Sequence, residues 1–126
     1  MAEGGRRLIN RFKLSENFGL WEFHCRCCQT VKIDKKLVDK LQALRDKVGV
    51  PLVITSGYRC PSHNKAEGGA PNSYHVKGMA ADVVVPEGST GEELAQAAKE
   101  LGFTGIGVYS SFVHMDVRPG RYVRFK

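Results

Sequence analysis

Apolar residues recur at helical spacing in two stretches of the chain, and short apolar runs bounded by turn residues separate them. Leu37, Val38, Leu41, Leu44 and Val48 share one stripe of a helix running from Asp34 to about Val48. Asp34 is a natural N-cap, Gly49 a natural stop, and Pro51 prevents resumption. A second stripe, Leu94, Ala97, Ala98 and Leu101, follows a capping-box start at Thr90-Gly91-Glu92-Glu93 and closes at Gly102. Leu52-Val53-Ile54-Thr55 and the stretch from Ala80 to Val85 predict buried strands, stopped by Ser56-Gly57 and by Pro86. Between them, Cys60 to Ala70 predicts a loop with one helical turn begun by Pro61 and closing on Gly68-Gly69. Gly105 to Tyr109 and Phe112 to Arg118 predict a hairpin across Ser110-Ser111, and Tyr122 to Phe125 a further β segment. Near the start, Leu14 to Cys28 carries Phe18, Trp21 and Phe23 with caps at Ser15 and Asn17, which predicts a brief helix laying aromatics onto the main body.

Helix, strand, loop, strand, helix and hairpin in that order predict an α+β fold: a mainly antiparallel sheet with helices on one face and the other face free for a cleft. The expected organisation is one domain over 1–126, with 1–30 as an N-terminal extension packed on it. At 126 residues the chain is long enough to build a core without disulfides.

Strand alternation makes the polar positions informative, because residues i and i+2 share a face. Ala80 and Asp82 point together, and small Ala80 leaves room beside the carboxylate. On the hairpin, Phe112, His114 and Asp116 share one face, leaving Val113, Met115 and Val117 to pack under the helices. Gly78 permits a turn that folds His75 back over the strand. A single histidine on a strand is more often an ordinary hydrogen-bonded residue than a ligand. An unpaired carboxylate beside Val83-Val84-Val85 is costly, however. Together His75, Asp82 and His114 form a candidate metal site with a free coordination position, as a catalytic zinc requires. Mixed imidazole and carboxylate ligation favours zinc, with iron and manganese permitted by ligand type.

The motif Ser73-x-His75-x-x-Gly78-x-Ala80-x-Asp82, followed by Val113-His114-x-Asp116, resembles the zinc D-Ala-D-Ala metallopeptidases. That superfamily takes in D-alanyl-D-alanine carboxypeptidases, phage peptidoglycan endopeptidases and the Hedgehog signalling domain. Ile54 to Arg59, Asn64 with Gly68-Gly69, and Gly102-Phe103-x-Gly105-Ile106-Gly107 are similar to its small phage-associated branch. The resemblance spans Phe12 to about Arg118. It implies a Hedgehog/DD-peptidase-like fold, one catalytic Zn2+ on His75, Asp82 and His114, and hydrolysis of peptidoglycan stem peptides or cross-links in the manner of a carboxypeptidase or endolysin. It also implies that Arg59 meets the substrate, where a guanidinium pairs with a carboxylate or an oxyanion; a plain surface salt bridge is the alternative. Ser73 and Tyr109 are expected to line the cleft as hydroxyl donors.

The proton acceptor is where the chain departs from its relatives. Some place a Glu three residues before the second histidine, where Ser111 stands; others a His two residues before it, where Phe112 stands. Asp116 is the remaining carboxylate on the His114 face and is the candidate general base, with orientation of His114 as its alternative role. A zinc-retaining module that binds the wall or builds a virion without turnover is the alternative function.

Cys25-x-x-Cys28 with Cys60-x-x-His63 matches a second, structural zinc site. A Cys25–Cys60 disulfide or free buried thiols compete with it, and Cys27 is left over in either scheme. No apolar run is long enough for a membrane span, so no membrane insertion is expected. Met1 to Arg11 holds Arg6 and Arg7 without an apolar stretch, which argues against a secretory signal. The expectation is therefore synthesis in the cytoplasm and action on the wall after release or delivery, as for a phage-encoded protein. A net charge of +6 favours a polyanionic partner. With no recognition helix and no aromatic-basic platform, an anionic wall suits it better than specific nucleic acid. A monomer is expected.

Overall fold

The computed structural model describes residues 12–126. Expectations for Met1 to Arg11, the absent signal and the first part of the extension, lie outside the described residues. The fold is α+β. Helices α1 (Lys35–Val48), α2 (Pro61–Ala66) and α3 (Gly91–Glu100) alternate with strands β1 (Ile54–Ser56), β2 (Ala80–Val84), β3 (Gly105–Val108), β4 (Phe112–Asp116) and β5 (Val123–Arg124). The sheet runs β1-β2-β4-β3-β5, antiparallel throughout except where β5 lies parallel to β3.

The register explains why the two faces differ. Ala81 sits opposite Met115, which sits opposite Ile106, and Val83 sits opposite Val113. All five are buried in one core with Leu37, Leu41 and Leu44 of α1 and Leu94, Ala95 and Ala98 of α3. The two apolar stripes thus cover the odd-numbered positions of β2 and β4. The even-numbered positions of both strands face the other way.

The predicted helix boundaries hold because their caps form. The Asp34 carboxylate accepts from the Lys36 N–H at 2.8 Å, and Gly49 ends α1 in the left-handed region at φ 75°. Thr90 Oγ1 accepts from the Glu93 N–H at 3.1 Å while the Glu93 carboxylate accepts from the Thr90 N–H at 2.9 Å. Thr90→Ala is expected to lower unfolding stability by about 1 kcal/mol, read as a shifted denaturation midpoint at unchanged slope.

Two elements differ from expectation. The N-terminal helix is a single 3-10 turn, Leu20–Glu22. Phe18 and Phe23 are buried in mutual ring contact at 6.1 Å, but Trp21 is 43% exposed. So short a turn cannot aim all three aromatics inward, and the indole lies over Gly19, where any Cβ would strike its ring. The last β segment, expected over Tyr122 to Phe125, is only Val123–Arg124, and it lies parallel to β3. That placement sets Phe125 over Gly107, on the face away from the helices.

Candidate metal centre

The rows of the polar face set functional side chains beside small neighbours. Asp82 of β2 is directly opposite His114 of β4, whose other neighbour is Gly107 of β3. One row along, Asp116 sits between Ala80 and Gly105. A Cβ on Gly105 would run into the Asp116 carboxylate and the Arg118 guanidinium, so glycine is what lets this pair lie flat against the sheet. The result is a cleft of about 640 Å³ whose lining includes Arg59, Ser73, His75, Asp82, Tyr109 and His114.

His75 arrives from the turn before β2. Gly78 holds that turn at φ +73°, and a Cβ there would meet the Lys32 carbonyl. Ser73 Oγ accepts from the His75 N–H at 3.2 Å and fixes the start of the turn. His75 Nδ1 lies 2.7 Å from the Gly57 carbonyl, which can only accept. Nδ1 therefore donates, and in the neutral ring it is Nε2 that presents a lone pair. Nε2 is buried and without a hydrogen bond, although Asp82 Oδ1 stands 3.2 Å away.

The same reasoning fixes His114. Its Nε2 lies 2.7 Å from Asp116 Oδ2, and that carboxylate is ionised because Arg118 grips both its oxygens, Nε to Oδ1 at 2.8 Å and Nη2 to Oδ2 at 2.7 Å. Nε2 is then a donor, and Nδ1 faces Asp82 Oδ1 at 3.2 Å, where the neutral ring would offer its lone pair. Two imidazole nitrogens thus converge on one carboxylate oxygen, and in the neutral rings, each donating from its far nitrogen, both lone pairs aim at the same point. In that state three acceptors face one another, a repulsive arrangement that a proton or a metal ion among them relieves. The spacing suits one: donors at zinc-ligand distances and tetrahedral angles stand roughly 3.3 Å apart. All three donor atoms lie within 4.8 Å of one another.

Without an ion, the carboxylates and imidazoles answer to one another, and a metal ion would take the place of the proton they favour. Burial alone would raise the Asp82 carboxyl, but His114 and His75 beside it hold it well below the usual carboxylate range. Burial would lower His114, and Asp116 with Asp82 push it above its ordinary value instead. Asp116 is likewise raised by burial and brought down on balance by Arg118 and His114. Arg59 completes the floor, with Nε on Ser56 Oγ at 3.1 Å, Nη1 on Asn64 Oδ1 at 3.2 Å and Nη2 3.5 Å from Asp82 Oδ2. Tyr109 stacks on Phe112 at 4.7 Å, at the rim of the cleft.

The structure brings His75, Asp82 and His114 together with Arg59 beside them. Asp116 stands behind His114, fully buried, with both oxygens engaged. Away from the cleft, Cys25, Cys27, Cys28 and Cys60 gather within 4.8 Å, so Cys27 belongs to the cluster and is not left over. His63 touches its edge, with Nδ1 3.2 Å from Cys25 Sγ. Sequence reasoning missed Arg118, the Gly57 carbonyl and Phe125, whose ring meets His114 edge-on at 5.1 Å. The i, i+2 spacing of Asp116 and Arg118 was a usable signal for the first; nothing local points to the others.

A His-Asp-His cluster on the floor of an open cleft, each imidazole held by a partner on its far nitrogen, is the kind of centre that metal-dependent hydrolases use. The chain belongs to the peptidase M15 family, whose model matches residues 11–116. It is similar to the probable peptidoglycan L,D-endopeptidase MepK of Haemophilus influenzae, with 32% identity over 135 residues covering 93% of this chain and 72% of that protein. It is also similar to the zinc D-Ala-D-Ala carboxypeptidase of Streptomyces albus G, with 46% identity over 69 residues covering 53% of this chain and 26% of that protein.

Proposed function

We propose that the chain is a zinc peptidase that hydrolyses peptide bonds in the stem peptides or cross-links of peptidoglycan, with His75, Asp82 and His114 holding the ion. The observation that carries this is the convergence of two imidazole nitrogens on one carboxylate oxygen, His75 Nε2 and His114 Nδ1 each standing 3.2 Å from Asp82 Oδ1. Family membership and the names of the two relatives support the substrate class.

When bound, zinc supplies a Lewis acid that polarises a peptide carbonyl and lowers the pKa of water. The protein's own groups do the rest. Gly57 and Asp116 lock the two imidazoles in the tautomers that offer lone pairs to one point. Arg59, held by Ser56, Asn64 and, at 3.5 Å, Asp82, lines the cleft, where its guanidinium can bind a substrate carboxylate or a developing oxyanion. Ser73 and Tyr109 bound the space a stem peptide would fill. Asp116 acts as a positioning residue for His114 rather than as the base, because its oxygens are already engaged. The +6 charge attracts the enzyme to an anionic wall, and the domain works there as a single unit after release or delivery. Among the described residues no helix is long and apolar enough to cross a membrane.

The test is digestion of purified peptidoglycan with and without chelator, the released fragments being identified by mass. The metal-loaded protein is expected to release stem-peptide fragments, chelation to stop it, and zinc to restore it. Free D-alanine would mark a carboxypeptidase, and loss of cross-linked fragments an endopeptidase. Arg59→Lys is expected to cut kcat/KM by about 10- to 100-fold, since an ammonium cannot reproduce the planar fork. A protein that binds zinc stoichiometrically yet releases no fragment would establish the non-catalytic module instead.

A further inference from the structure

Four cysteines outside the cleft form a second constellation that peptide hydrolysis does not use. Cys25, Cys27 and Cys28 come from one tight loop and Cys60 from the segment leading into α2, some 30 residues on, yet their sulfurs all lie within 4.8 Å. Cys27 Sγ is 3.4 Å from both Cys25 Sγ and Cys60 Sγ. Four thiolates at zinc–sulfur distance and tetrahedral angles stand roughly 3.8 Å apart, within the span observed.

The backbone is shaped to produce this cluster. The loop is closed by the Cys25 N–H to the Thr30 carbonyl at 2.7 Å and the Gln29 N–H to the Cys25 carbonyl at 2.8 Å. Gln29 adopts φ 61°, the one non-glycine among the described residues in the left-handed region. A side chain held there against its preference marks a loop over-determined by its surroundings. The sulfurs also receive donors as metal thiolates do: the Cys60 N–H points to Cys25 Sγ at 3.5 Å, the His63 N–H to Cys60 Sγ at 3.4 Å, and the His63 ring approaches Cys25 Sγ. Nothing in the apolar packing requires this convergence, since Cys27 and Cys28 are exposed.

We propose that Cys25, Cys27, Cys28 and Cys60 bind a second, structural zinc ion as a closed four-thiolate site, with His63 outside it as a hydrogen-bond partner of Cys25. The site clamps the loop at 25–30 onto the segment at 57–60. That segment carries the Gly57 carbonyl that orients His75 and Arg59 at the cleft floor, and Gly57 already lies so close to the Phe23 backbone that no Cβ fits. The clamp therefore sets the position of two cleft groups without touching substrate.

The experiment measures zinc per chain in the full-length wild type, His75→Ala and the double variant Cys27→Ser/Cys28→Ser, each purified under reductant. Cobalt reconstitution runs alongside. The wild type is expected to hold two ions and each variant one. An intense thiolate-to-cobalt charge-transfer band should appear in wild type and His75→Ala and vanish in the cysteine variant, whose exposed substitutions leave the core intact by far-ultraviolet circular dichroism. Because the band is read in His75→Ala, its outcome is independent of whether the cleft hydrolyses anything. The proposal is overturned if the band is absent from the wild type and its four thiols react with a thiol reagent equally fast with and without zinc. It is equally overturned if the intact mass shows a disulfide that, once reduced, takes up no metal.

Discussion

His75→Ala is expected to abolish peptidoglycan cleavage and to remove the cleft ion while leaving a folded protein. Two losses act together. The Nε2 lone pair that completes the acceptor set disappears, and the Gly57 carbonyl loses the N–H that satisfies it in a buried setting. An unsatisfied buried acceptor costs about 1–3 kcal/mol, enough to be seen in the unfolding midpoint but less than the stability of an ordinary domain. Metal binding supplies the larger contrast. An ion present at a thousand times its Kd stabilises the native state by about 4 kcal/mol. Chelator should therefore lower the wild-type unfolding temperature in two increments, one from the cleft and one from the cysteine cluster. In His75→Ala only the second should remain. If the variant keeps full zinc content and full activity, the ligand assignment is wrong. A variant that retains both increments would refute the assignment equally, by a route that needs no substrate.

The layout of this fold was legible because its periodicities are clean. The helical stripes of α1 and α3 and the alternation of β2 and β4 each pointed to the same buried face, and the caps at Asp34 and Thr90 fixed where helices begin. The cleft face followed from the remainder, since Asp82, His114 and Asp116 were what alternation left over. What sequence could not supply was contact across elements. Whether Asp116 is free or gripped depends on Gly105 in a neighbouring strand and on how Arg118 curls back. The Gly57 carbonyl that fixes the His75 tautomer is a backbone group, invisible to any reading of side-chain types. Cys27 looked superfluous because linear spacing favoured the Cys-x-x-Cys pair. Only the closed loop from Cys25 to Thr30, with Gln29 left-handed, folds adjacent cysteines onto one point.

Asp116→Asn separates the two roles this carboxylate could have, and the separation rests on hydrogen-bond polarity. In the wild type the Arg118 backbone N–H and Nε both donate to Asp116 Oδ1, while Arg118 Nη2 and His114 Nε2 donate to Oδ2. An asparagine of the same shape has one acceptor instead of two. Its oxygen goes to the two fixed Arg118 donors, which sets its NH2 against His114 Nε2. That nitrogen must then accept, so the imidazole proton moves to Nδ1, and the lone pair aimed at Asp82 and the metal is lost. The expected result is zinc affinity weakened by about 10- to 100-fold, with the activity restored in part by excess zinc. A general base behaves otherwise: its loss would leave zinc affinity unchanged and lower kcat alone, by about 10²–10⁴-fold, at every zinc concentration. Metal titration of the variant thus decides the matter before any rate is measured. Unchanged affinity with collapsed kcat would return Asp116 to the chemistry and show that Arg118 releases it when substrate binds.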